Sequence, residues 1–319
     1  MTAELAPEAW IVDDTGFPKK GRFSVGVARQ YSGTLGRVEN CQIGVSISAA
    51  TDAASCPINW RIYVPAEWDA DGVRRGRAHV PDDVRHVPKW QLALEMIDQL
   101  RGWGLQPPVV CADAGYGEIT AFRQGLDDRE IDYIVHVKAG TSAYALDVGP
   151  ERPAWSGRGR PPLARYRAAP CSLRELVLAA GAGQAVPVTW RQGSRGSMSS
   201  QFVALRVRPA NVALRRIAAN AQTELPARWL LAEWPADAEE PSDYWLASLP
   251  ADTPLAELVR LGKLRWRIEH DYRELKDALG LDHFEGRSHR GWHHHVTLVS
   301  VAHAFLTLER RRPRLRAAA

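Results

Sequence analysis

Short apolar runs bounded by turn-forming residues dominate the first part of the chain, the pattern of strands buried on both faces. Residues 9–13, Ala-Trp-Ile-Val-Asp, form the first run and end in acid. Strand-like stretches follow at 38–47 and 59–64, separated by turn-rich segments around Gly33 to Gly36 and Thr51 to Cys56. The period then changes. Over 88–103, Trp90, Leu92, Leu94, Met96, Ile97 and Leu100 make a helical apolar stripe that Gly102 and Gly104 close. A buried-strand run at 107–112 breaks at Asp113-Ala-Gly-Tyr-Gly, and a helix over 118–124 and a strand over 133–137 come next. Three hairpin-linked strands feeding strand–helix–strand crossovers predict an α/β fold, a mixed sheet with helices on its faces.

Residues 140 to about 248 follow a different pattern. Pro and Gly are frequent, 152–162 reads as a loop, and Ser172 with Glu175 forms a capping-box signature for a helix. Strand-like pieces at 186–190, 201–207, 229–234 and 244–247 make this a β-rich insertion. The last section is helical: Thr253-Pro254 opens a helix that Gly280 stops, and a second runs over 291–311 to Pro313. The expected organisation is a core over 1–140, an insertion over 141–248 and a return to the core over 249–319.

Composition changes this picture in one respect. Of 319 residues, 41 are Lys or Arg and 37 Asp or Glu, a net charge of +4. Between Lys263 and Arg316 stand 12 basic and 7 acidic residues, so the rest of the chain is close to neutral. The surplus lies in the last sixth. No run is apolar for long enough to span a bilayer, and Met1 to Trp10 carries Glu4 and Glu8 without a basic residue, unlike a secretory leader. Cys41, Cys56, Cys111 and Cys171 are scattered, which fits buried small residues in a reducing cytoplasm better than a zinc ribbon or disulfide scaffold.

Acids stand where chemistry is expected. Asp13 and Asp14 close the first strand, and Asp113 closes the strand after the first long helix; sites in open α/β sheets lie beyond the carboxyl ends of strands. The bland alternative is that such acids cap helices or shape turns. On the segment Lys263 to Lys276, Arg265, Glu269 and Lys276 fall within about 40° of one another, along a stripe of about 16 Å. Carboxylates on separate elements suit Mg²⁺ or Mn²⁺, and two such ions can clamp the attacking and leaving oxygens of a phosphodiester. A solvated ion-paired face is the alternative for Arg265 and Glu269 at i, i+4.

Three motifs carry a resemblance: Trp-Ile-Val-Asp-Asp-Thr-Gly-Phe-Pro-Lys-Lys-Gly (10–21), Ala-Asp-Ala-Gly-Tyr-Gly (112–117) and Arg-Trp-Arg-Ile-Glu (265–269). Together they resemble the DDE transposases of bacterial insertion sequences, in the group with a Tyr-x₂-Arg-x₃-Glu-x₆-Lys signature. Arg265, Glu269 and Lys276 keep that spacing, and Gly262 stands where Tyr is expected. The resemblance implies a ribonuclease H-like core interrupted before the glutamate helix, and Mg²⁺-dependent cleavage of transposon ends followed by strand transfer to target DNA. It implies metal ligands Asp14 (or Asp13), Asp113 and Glu269, with Asp14 favoured because it precedes Thr15. Strand alternation allows only one of Asp13 and Asp14 to aim at Asp113. Arg265 and Lys276 would contact phosphates, with Lys19, Lys20 and Arg273 as further DNA contacts, and two copies would pair on DNA. Relatives carry a sizeable region before the first acid, so a shortened chain is expected. The alternatives are a catalytically inactive DNA-binding remnant, or a metal-dependent nuclease without strand transfer.

Other signals are weaker. Trp292-His-His-His295, with His289 and His303, lacks a zinc arrangement and reads as helix–core packing or a phosphate contact. One tryptophan of the insertion, Trp190 or Trp234, would be placed to stack on an unpaired base. The arginines from Arg310 to Arg316 are a DNA-binding or merely solvated tail.

Overall fold

A computed structural model describes residues 2–33, 36–193 and 196–312. The chain divides into two compact units. One comprises Met1–Ala112, Ala121–Ile131 and Leu264–Ala319, the other Asp113–Thr120 and Asp132–Lys263.

The first unit is built on strands β1 (Ala9–Pro18), β2 (Ala28–Ser32), β3 (Arg37–Ala50), β4 (Ser55–Ile62) and β5 (Val110–Ala112). β1 lies between β3, antiparallel with Asp13 opposite Ser46, and β5, parallel with Val12 opposite Ala112. The other edge of β3 carries β2 along Arg37–Cys41 and β4 along Gly44–Ala50. Four antiparallel strands, three of them expected from the sequence, and one parallel to the first form the mixed α/β core. β2 escaped the sequence reading because Ala-Arg-Gln-Tyr-Ser is an edge strand with only its two end residues buried, leaving no period to detect.

Helices cover both faces of this sheet. Adjacent residues of β4 show the alternation: Asn59 Nδ2 donates to Gln99 Oε1 of the helix Lys89–Gly102, while Trp60 Nε1 donates to Ser300 Oγ of the helix His289–Arg311. The latter face also carries the helix Trp266–Asp277, whose Tyr272 ring meets Trp60. Its core gathers Phe17, Trp60, Trp68, Leu275 and Trp292. Trp292 meets Phe17 and Trp60 edge-on, and its ring lies over Gly44, where an added Cβ would stand 2.9 Å from it.

In the second unit β6 (Tyr133–Val137), β7 (Ser142–Ala145), β8 (Cys171–Ser172), β9 (Val186–Gly193), β10 (Gly196–Pro209), β11 (Arg228–Glu233) and β12 (Asp243–Ala247) pair antiparallel in the order β6-β12-β11-β10-β7-β8, with β9 on β10. The capping box forms at Ser172, both of whose groups engage Glu175.

The structure corrects several expectations. The segment read as one helix from 253 to 280 is two, Leu255–Lys263 and Trp266–Asp277, and the interruption coincides with the division between the units. Cys41, Cys56 and Cys111 are buried, and burial pushes the Cys56 thiol up to about 12. Cys171 is exposed instead, because it lies in the two-residue strand before a helix cap. Trp190 packs on Phe202 and under the Lys263 ammonium, and Trp234 is buried with its Nε1 donating to the Ala238 carbonyl, so neither offers a bare stacking face. The expected stop at Pro313 and the residues Arg314 and Arg316 lie outside the described residues. Among those described, no helix is long and apolar enough to cross a membrane.

Candidate active site

β1 is buried along nearly all its length because it lies inside the sheet, and this brings two carboxylates into a mostly apolar strand. Pleating sends them to opposite faces. Asp13 shares the face of Ser46, whose Oγ is 2.7 Å from the Tyr272 hydroxyl of the helix Trp266–Asp277. Asp14 turns to the other face, where its Oδ2 accepts from Lys89 Nζ at 2.7 Å at the start of the helix Lys89–Gly102.

Glu269 lies on the first of these faces with Asp13. The two carboxylates flank one guanidinium: Arg265 Nη1 donates to Asp13 Oδ2 at 2.8 Å and Nη2 to Glu269 Oε1 at 2.9 Å. Arg265 occupies the N-cap position of the helix, so the i, i+4 spacing to Glu269 survives the helix break. Asp13 is nearly buried, its side chain 11% exposed, whereas Glu269 is 63% exposed at the rim. The second Asp13 oxygen accepts from the Asp14 amide at 2.7 Å. Beneath them, burial and then the Asp13 charge hold the Tyr272 hydroxyl well above its ordinary value, so it stays protonated.

The other expected residues are placed as follows. Lys276 Nζ donates to the Gly16 carbonyl at 3.2 Å and stands over the Phe17 ring; burial lowers its pKa. Lys19 Nζ donates to the Phe284 carbonyl, and burial lowers it likewise. Lys20 is exposed, as is Arg273 one turn beyond Glu269. Asp113 follows Ala112, the β1-paired end of β5, and belongs to the second unit, where it caps the turn Ala114–Gly117 by accepting from Tyr116 N. That turn needs Gly117, since a Cβ there would stand 2.0 Å from the His136 carbonyl oxygen. Gly262, the expected Tyr position, packs so that a Cβ would meet Ile134, Leu231 and Trp245 at 3.4 to 3.6 Å, in ordinary contact.

Two histidines of the run are half-buried and bond backbone carbonyls, and His294 is exposed. His293 Nδ1 bonds the His289 carbonyl, and His295 Nε2 bonds the carbonyls of Gly280 and Leu281. Lys89 and Ser46 were missed by the sequence reading. Lys89 opens its helix directly after Pro88, and which of the two acids faces that helix depends on packing that strand alternation alone does not fix.

For a divalent cation, the fit rests on one observation: two carboxylates already converge on a single cationic group, and all the donors are hard oxygens.

Similarities to known proteins are of three kinds. The sequence profile of the family described as DDE superfamily endonuclease matches residues 1–197. A protein of Microchaete diplosiphon named as a probable transposase for insertion sequence element IS701 is 31% identical over 134 residues, 42% of this chain and 32% of that protein. The match thus spans about a third of the relative's length. Among solved structures, a piggyBac transposase synaptic complex with hairpin DNA aligns over 97% of this chain and 55% of its own, at a TM-score of 0.35 and 11% identity, too slight a likeness to carry an argument.

Proposed function

The chain belongs to the DDE superfamily endonuclease family, and on that premise we propose that it is the catalytic core of a transposase that cleaves DNA and joins the freed end to a target. The observation that carries this reading is the Asp13–Arg265–Glu269 relay, in which two acids distant in sequence share one cation on one face of the sheet. Asp13 and Glu269 are the proposed holders of Mg²⁺ or Mn²⁺, and Asp113 is proposed as a further catalytic acid. Asp13 is preferred over Asp14 because Asp13 faces the glutamate helix while Asp14 is engaged by Lys89.

When bound, such ions supply Lewis acidity and a water made nucleophilic near neutral pH. The chain supplies the rest. Arg265 gives up its carboxylate partners and turns its guanidinium fork to a DNA phosphate, a geometry it suits. Arg273, exposed one turn beyond Glu269, extends the phosphate track. Tyr272, kept protonated, bonds Ser46 and ties the helix to β3 beside Asp13. Two copies acting on DNA remain part of the proposal.

The test is nicking of supercoiled plasmid and joining of a labelled transposon-end duplex, with Mg²⁺ or Mn²⁺. Wild type cleaves and joins, while Glu269→Gln and Asp113→Asn do neither yet still bind DNA. Cleavage without joined products would make the protein a nuclease alone. A wild type that binds DNA and never cleaves would make it an inactive remnant.

A further inference from the structure

The near-neutral average of the middle of the chain conceals a second basic site. Residues 151–167 hold five arginines and one glutamate, and the helix Val212–Ala221 adds Arg215 and Arg216 without an acid. In the second unit three of these, Arg165, Arg215 and Arg216, line one cavity of about 310 Å³ together with Tyr166 and Asn220. Other arginines of the unit are neutralised: Arg208 pairs with Glu224 at 2.6 Å, and Arg174 pairs with Glu240. Among the described residues no carboxylate pairs with any of the three, and Arg215 Nε is shielded from water without a hydrogen-bond partner. Guanidinium groups gathered without a counter-charge repel one another, and an anion between them relieves that repulsion while filling their donors.

The cavity is also held in shape. Tyr166 stacks on Tyr144 at 4.8 Å, and its hydroxyl accepts from Leu225 N. Asn211 caps the helix by accepting from Leu214 N, and Gln222 Oε1 at the far end accepts from Ala164 N, fixing the chain next to Arg165. A small apolar core of Tyr144, Ala210, Ala218 and Leu225 lies beneath. Arg165 and Arg216 are exposed, which suits an extended ligand rather than an engulfed ion.

We propose that this arginine cavity binds backbone phosphates of DNA, at a site separate from the carboxylate residues. The class of ligand, a phosphate anion, follows from the cavity; its identity as DNA rests on the proposed function. The experiment is anisotropy of a short labelled duplex across a salt series without divalent ion. It compares wild type with R165A/R215A/R216A and with the triple lysine variant. The alanine variant is expected to lower the slope of log affinity against log salt by about 2 to 3, at about 0.9 per phosphate contact, with an unchanged melting temperature; the lysine variant keeps most of the slope. A wild-type slope in the folded alanine variant overturns the inference. So does an alanine variant that loses inorganic-phosphate binding and keeps its DNA affinity, which would make this a small-anion site. Glu269→Gln separates the two readings: its arginine-dependent slope supports this site even if wild type cleaves nothing, and its absence refutes the site even if wild type cleaves.

Discussion

The opposed orientations of Asp13 and Asp14 can be tested by replacing each with Asn. Asparagine keeps the volume, and in Asp13→Asn it keeps the acceptor for the Asp14 amide. Without metal, Asp13→Asn removes a pair whose side chains are 11% and 32% exposed. That lies between exposed pairs, worth about 0–1 kcal/mol, and buried ones, whose breaking costs about 3–5, so a loss of about 1–2 kcal/mol is expected. Asp14→Asn breaks a pair with Lys89, itself 39% exposed, and should cost about 0–1 kcal/mol. With metal the contrast grows. At a free Mg²⁺ or Mn²⁺ concentration about ten times the dissociation constant, binding stabilises the native state by about 1.4 kcal/mol. For a unit of this size that raises the melting temperature by about 3–6 °C. Wild type and Asp14→Asn should show that rise in scanning fluorimetry, and Asp13→Asn should not. Nicking should fall by at least about a hundredfold in Asp13→Asn, the loss of several kcal/mol of charge stabilisation. If Asp14→Asn loses the metal-induced rise and Asp13→Asn keeps it, the facing argument is refuted and Asp14 is the ligand.

Two further outcomes follow from the same face of the first unit. His293 is half-buried with its pKa lowered to about 4, chiefly by loss of solvent around the ring, so unfolding lets it take up a proton at mildly acid pH. The unfolded chain binds more protons between about pH 4 and 6.5, so stability should fall as pH drops through that window, by at most about 3 kcal/mol from this group; melts at pH 7 and 4.5 should differ less in His293→Gln. Gly44→Ala would set a Cβ 2.9 Å from the Trp292 ring and should cost about 1–3 kcal/mol by overpacking, read as a lower denaturant midpoint at an unchanged slope.

Much of the core was legible because buried strands and amphipathic helices write their periods into the chain. β1, the helix Lys89–Gly102 and the capping box at Ser172 all follow from local residue order. The edge strand β2 and the break at Leu264 and Arg265 did not, since only the two end residues of β2 are buried and no Gly or Pro occupies the break itself. Within the site, the i, i+4 pair Arg265–Glu269 was legible as spacing. That Asp13 rather than Asp14 completes the group was not, because Asp13 lies 252 residues from Arg265.

By itself the sequence determined the α/β class, the order of acids and the alternation that keeps Asp13 and Asp14 on opposite faces. These depend on backbone periods and on neighbours a few residues apart. Only the tertiary structure decided which face the glutamate helix covers, that Lys276 turns inward to the Gly16 carbonyl, and that Arg165, Arg215 and Arg216 converge. Those outcomes depend on which surfaces pack together, and packing is set by contacts between segments too distant in sequence for any local pattern to record.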